Sequence, residues 1–298
     1  MCICPADLTH VALRISGESP NSKASKIMAK KSKQFKGKKK VTAISSQFDK
    51  WLDLIGHQIF KGDYREAVTN CERLLNSLPM RASQRVDVLA QLGTAQSMLQ
   101  NFPQSYEAFS EALALDPNDA GLWFNRSMAS RFTIRFGRAL RDVERAIELN
   151  TRSELAEQFA EALQFSREMA EKSMKLRGPD FTLDQLIEQE DLFQQGLKLM
   201  EAWKWEEAGE AFQASIDLGD CLPQPWGNLG ICLLMQERYD ESEAALKRAL
   251  VIDPTYTLAK DNLALLADTR RTGLPDTVAI NQPFKGSKLK QTITYIRE

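Results

Sequence analysis

Apolar residues recur at helical spacing through most of the chain, in paired runs separated by short polar turns. Residues 223–256 give the clearest pair. Trp226, Leu229 and Leu233 mark the face of one predicted helix; Tyr239, Leu246 and Ala249 mark a second. Asp253-Pro254 stops the second helix, because proline lacks an amide donor and clashes with the preceding turn. The small residues Gly230 and Ser242 fall where the two helices are predicted to touch. A single hairpin cannot bury its own apolar face, so stacked neighbours are needed.

The pattern has a register. Counted from 223, Trp226, Leu229, Gly230, Leu233, Tyr239, Ser242, Leu246, Ala249 and Pro254 stand at positions 4, 7, 8, 11, 17, 20, 24, 27 and 32 of a 34-residue frame. The frame laid on 189–222 finds Leu192, Gly196, Leu199, Trp205, Ala208 and Phe212. On 120–153 it finds Trp123, Phe136, Ala139 and Ala146; on 86–119, Leu89, Leu92, Gly93, Phe102, Phe109, Ala112 and Pro117. On 48–81 it finds Trp51, Leu54, Gly62, Tyr64, Ala67, Leu74 and Pro79. These windows resemble the tetratricopeptide repeat in period and in residue type at each slot. Two windows depart from it: Ile55 replaces the small residue at position 8 of the first, and Arg126 takes position 7 of 120–153. Both are expected to be hairpins of altered packing.

The expected fold is all-α: a superhelical solenoid of helical hairpins behind a disordered basic N-terminal arm. The expected organisation is an arm over 1–45, a first array with a trailing helix over 48–176, a second array with a capping helix over 182–272, and a flexible tail over 273–298. Arg177-Gly178-Pro179-Asp180 interrupts the helical pattern, and Thr182-Leu183-Asp184-Gln185 has the form of a capping box opening the next helix. Residues 257–272 have the periodicity of a capping helix, and Gly273 and Pro275 follow it.

Charge adds one feature. Residues 1–47 hold ten basic and two acidic residues in a chain of net charge −1, so the body is strongly acidic. Lys30, Lys31, Lys33, Lys36, Lys38, Lys39 and Lys40 lie among serine, glycine and glutamine, too little apolar surface to fold alone. Such an arm is a solubilising tail or a weak, salt-dependent contact for nucleic acid or for the acidic body itself, and the alternative function is a nucleic-acid- or ribosome-associated protein acting through it. Val11-Ala12-Leu13 is too short for a signal-peptide core, and no apolar run approaches a membrane span, so a cytoplasmic location without membrane contact is expected.

Catalytic and metal chemistry find little footing. Five scattered cysteines do not form a disulfide framework, and Cys2-x-Cys4 lacks a second ligand pair. No phosphate loop, nucleophile–histidine pair or metal spacing occurs, so neither an enzyme nor a cofactor is expected. The resemblance implies instead that the first helix of each repeat lines a concave groove for a partner peptide or helix. The frame positions that face such a groove hold Gln91, Met98, Phe124, Asn125, Met128, Arg131, Gln194, Asn228 and Met235. Methionine adapts to irregular partners, and amides pair with an extended backbone. The competing assignment, for the Phe and Met residues above all, is packing against the protein's own next element. Trp203, in a turn where glycine is usual, is either a surface anchor or locally packed. Some members of the family grip a chaperone's C-terminal carboxylate with a Lys/Asn/Arg clamp. Leu52 and Gly56 stand at two positions of that pattern here, and the clamp is not carried over.

Overall fold

The structure is a computed structural model that describes residues 39–77, 79–274, 277–280 and 291–294. Its helices, in chain order, are α1 (Lys39–Lys61), α2 (Tyr64–Ser77), α3 (Ala82–Met98), α4 (Phe102–Leu115), α5 (Ala120–Phe132), α6 (Phe136–Leu149), α7 (Ala156–Arg177), α8 (Leu183–Glu201), α9 (Trp205–Leu218), α10 (Pro223–Met235), α11 (Tyr239–Ile252) and α12 (Thr257–Thr272). Two short strands, β1 (Thr277–Ile280) and β2 (Gln291–Thr294), follow as an antiparallel pair with Thr277 opposite Thr294. The described residues divide into two compact units: those up to Ser130 with Arg141–Leu163, and Arg131–Leu140 with those from Gln164 onward.

In each unit the hairpins close through the small-against-large contact that the frame predicts. In the first unit, a Cβ placed on Gly93 of α3 would lie 2.7 Å from the Phe109 ring of α4. In the second, Gly196 faces Phe212 at 2.7 Å, and Gly230 faces Leu246 at 2.6 Å. These are positions 8 and 24 in each window. Position 20 is held by Ala67, Ser105, Ala139, Ala208 and Ser242, every one 0% exposed. The Ser242 hydroxyl donates to the Gly230 carbonyl at 2.7 Å, which ties position 20 to position 8.

The two departures have physical explanations, both inside the first unit. Ile55 is fully buried, and the residue at position 24 of its window is Cys71, so the large and small partners have exchanged sides within one cluster. Arg126 makes a forked ion pair with Asp142, at 2.8 and 2.7 Å, and its guanidinium lies over the rings of Trp123 and Tyr106. The Asp142 side chain is fully enclosed.

The turns repeat as well. Position 15 is Gly62, Gln100, Ile134, Trp203 or Glu237, each with φ between 58° and 88°. Only glycine adopts this left-handed backbone freely. Helix ends follow the expected signals: α4 stops before Asp116-Pro117 and α11 before Asp253-Pro254. Thr182 and Gln185 form the predicted capping box, with the Gln185 amide donating to Thr182 Oγ1 at 3.2 Å.

Three boundaries differ from the sequence expectation. Helix α1 begins at Lys39, inside the segment assigned to the arm; Lys30, Lys31, Lys33, Lys36 and Lys38 lie outside the described residues. Residues 131–140 group with the second unit, because side chains of α8 hold the start of α6. The tail contributes a strand pair rich in β-branched residues, which suit an extended backbone, and β1 comes against α10 and α12. Among the described residues no helix is long and apolar enough to cross a membrane.

Candidate functional site

The second unit contains a cavity of about 270 Å³. Its walls are the turn Thr133–Phe136, the last turns of α7 with Leu176 and Arg177, the α8 residues Gln189, Glu190, Phe193 and Gln194, Ser215 of α9, and Leu222, Gln224 and Pro225 at the start of α10. Phe136, Phe193, Leu222 and Pro225 give it an apolar lining. Ile134 and Leu176 stand at its margin, 46% and 59% exposed. Ile134 is also the β-branched member of the left-handed turn set, at φ 58°. A β-branched residue there is a genuine outlier, and such strain tends to persist where it serves a site.

The polar floor is tightly organised. Gln189 donates from Nε2 to the carbonyls of Ser215 and Gly219, both at 2.8 Å, and Ser215 Oγ donates back to the Gln189 carbonyl. Arg177 donates to Gln189 Oε1 and, at 2.6 Å, to the Ser173 carbonyl. Burial holds its guanidinium below the ordinary arginine range. Glu190 accepts the backbone amides of Gly137 at 3.0 Å and Arg138 at 3.2 Å. Asp191 receives ion pairs from Arg135 and Arg138. A Cβ on Gly137 would meet Ile187 at 3.0 Å and Leu186 at 3.1 Å, so only a residue without one fits easily there. The Gln224 Oε1 atom is enclosed and has no hydrogen-bond partner among the described residues.

Of the residues expected to line a groove, Gln194 lies in this cavity. Arg131, in the same unit, is half-buried with its guanidinium 3.8 Å over the Phe165 ring; burial lowers its pKa to about 10. Asn228 and Met235 are buried, and α10 is covered along Gly227–Met235, with α12 and β1 against it. They belong to the core of the second unit, which corrects their assignment to an open groove. In the first unit, Phe124 is likewise core: it is 1% exposed and stacks on Phe159 of α7 at 4.6 Å. Gln91 is half-buried and donates to the Leu52 carbonyl at 3.3 Å. Met98, Asn125 and Met128 are half-buried. Trp203 is 38% exposed and sits in a left-handed turn.

Glu190, Arg177, Gln189 and Ile134 are not among the residues that the sequence pattern singles out. Glu190 had a signal, since it occupies position 2 of its window, one of the inward-facing slots. The arginine and Gln189 had none, because their roles depend on where α7 ends against α8.

Residues 223–256 match the family model described as the tetratricopeptide repeat. No curated protein sequence matches the chain. Among solved structures, the TPR2AB-domain:pHSP90 complex of yeast Sti1 is similar, with 12% identity over 76% of this chain and 85% of that one, at a TM-score of 0.36. The MamA protein is similar at 17% identity over 78% and 100%, with a TM-score of 0.33. The P58(IPK) TPR domain is similar at 12% identity over 76% and 66%, with a TM-score of 0.41.

Proposed function

We propose that the chain, whose residues 223–256 match the tetratricopeptide-repeat model, is a non-catalytic protein-interaction module whose second unit receives a segment of a partner protein in the cavity beside α8. One observation carries this reading: the cavity has an apolar lining, two exposed apolar residues at its margin, and one of them, Ile134, sits in a strained backbone. A volume of about 270 Å³ falls just below the roughly 300–1,000 Å³ of small-molecule pockets. It suits one bulky apolar side chain of a peptide, with its backbone running over the rim. Gln194 then supplies a polar contact for that backbone. The proposed groove is a narrower site than a full concave face; the burial of α10 along Gly227–Met235 supports that reading.

The test is selection of a displayed random-peptide library against the full chain, with the enriched peptides measured on wild type and on Leu176→Glu. Leu176 is exposed, so the variant is expected to keep its melting temperature. Enriched peptides should share a bulky apolar residue and bind the variant at least roughly tenfold more weakly, as expected for loss of one anchor contact. No enrichment, or equal binding to both proteins, overturns the proposal.

A further inference from the structure

The Glu190 carboxylate is only 8% exposed, yet both its oxygens accept amides from the first turn of α6, a segment 53 and 52 positions earlier in the chain. A helix N-terminus has unsatisfied amides and partial positive charge, so an ionised carboxylate caps it well. Burial opposes that charge, because an anion withdrawn from water loses solvation that two amides only partly replace.

The charged groups around it come from three elements. Arg135 and Arg138 flank the start of α6 and are both engaged by Asp191, the neighbour of Glu190 on α8. Arg177, at the end of α7, is engaged by Gln189 and the Ser173 carbonyl. Ser215 of α9 and Gln224 of α10 line the same cavity and are uncharged. Desolvation outweighs the two amides and the attraction of Arg135 and Arg177, and the carboxyl titrates at about 7 in place of the usual 4.5.

We propose that Glu190 makes the joint between α6 and α8 a pH-sensitive latch, tightest when the carboxyl carries a proton and looser when it ionises. The protonated group still accepts through its carbonyl oxygen and keeps a lone pair on the hydroxyl. The ionised group is relieved by opening toward water. With the joint open, the carboxyl is solvated and titrates near its ordinary value; closed, it titrates near 7. The state that holds the proton more tightly is favoured as pH falls, so the closed joint is favoured at low pH. Opening grows as pH rises from about 5 to about 7 and levels off above that, by up to about tenfold per pH unit, the limit for one proton. The segment released is the Thr133–Phe136 wall of the cavity.

Amide hydrogen exchange of residues 133–140 in the full chain tests this, followed from pH 5 to pH 8 and normalised for the intrinsic pH dependence of exchange. Wild-type protection should fall at least about tenfold between pH 5 and pH 7. Glu190→Gln, neutral throughout and retaining one acceptor, should show no such fall. Protection of α3, in the other unit, should be flat in both proteins. A flat wild-type profile, or the same slope in the Gln variant, overturns the latch. The side-chain carboxyl of Glu190, followed by carbon NMR in the wild type, gives a second readout that needs no variant. An inflection near 7 supports the latch and one below 5 overturns it.

Discussion

A methyl group on Gly196 would lie 2.7 Å from two carbons of the Phe212 ring, so the spacing of α8 and α9 is set by the absence of a side chain at one residue. Gly196→Ala forces the ring or the helix to move. Overpacking of this kind costs about 2 kcal/mol, against roughly 1 kcal/mol that alanine gains over glycine in a helix. A net loss of about 1 kcal/mol is expected in urea unfolding. Gly56 is the control. The nearest atom to a Cβ there is Gln91 Nε2 at 3.7 Å, an ordinary contact. Gly56→Ala should therefore stabilise the protein, by roughly 0.5 kcal/mol. Two glycines in helices, with opposite signs, test the close-approach argument directly.

The Arg126–Asp142 pair makes a different demand. Asp142 is fully enclosed and the Arg126 side chain is 11% exposed, so neither charge has water to fall back on. Asp142→Ala leaves a guanidinium between Tyr106 and Trp123 without its carboxylate and is expected to cost about 3 kcal/mol. Replacing both residues by leucine removes the charges together and should recover most of that loss. Chemical denaturation of the three proteins measures it. A double variant as unstable as the single one would show that the pair is needed for its hydrogen bonds, including that to Ser110 at 3.3 Å, more than for charge balance.

Ile134 links stability to the proposed site. Its left-handed backbone strains a β-branched residue by about 1 kcal/mol, and its side chain is exposed at the cavity margin. Ile134→Gly should raise the melting temperature and weaken the binding of selected peptides. A variant that is more stable and binds equally well would leave Ile134 without a part in recognition.

Much of the repeat architecture was legible because it rests on local rules. Positions 8, 20 and 24 follow from helix geometry, and the Asp-Pro stops and the Thr182 capping box follow from which groups can donate or accept. The exchange of Ile55 and Cys71 was not, since it needs both partners to be read together across a hairpin. The cavity was hidden for a stronger reason. Gly137, Arg138, Arg177 and Glu190 meet only once 131–140 has folded against α8, and no periodicity along the chain records that encounter. Inward-facing slots were identified by position, but position alone does not say whether another element already covers them. Gln194 remained at an opening, and Phe124 and Met235 did not.

The two asparagines show the same distinction and allow it to be measured. Asn125 and Asn228 occupy comparable inward slots of their windows and carry the same chemistry, which is why the sequence treats them alike. Asn228 is 0% exposed within a helix covered on its length, whereas Asn125 is half-buried. A buried amide must satisfy its donors and acceptors inside the fold, and removing it strands the groups that paired with it. Asn228→Ala is therefore expected to destabilise the second unit by about 1–2 kcal/mol, whatever partner is present. Asn125→Ala should change the unfolding free energy by less than about 0.5 kcal/mol. Urea unfolding of the two single variants, read by circular dichroism, separates the cases. Equal and small effects would mean that the amide of Asn228 contributes little to the core, and the covered face of α10 would then have to be held by its apolar residues alone.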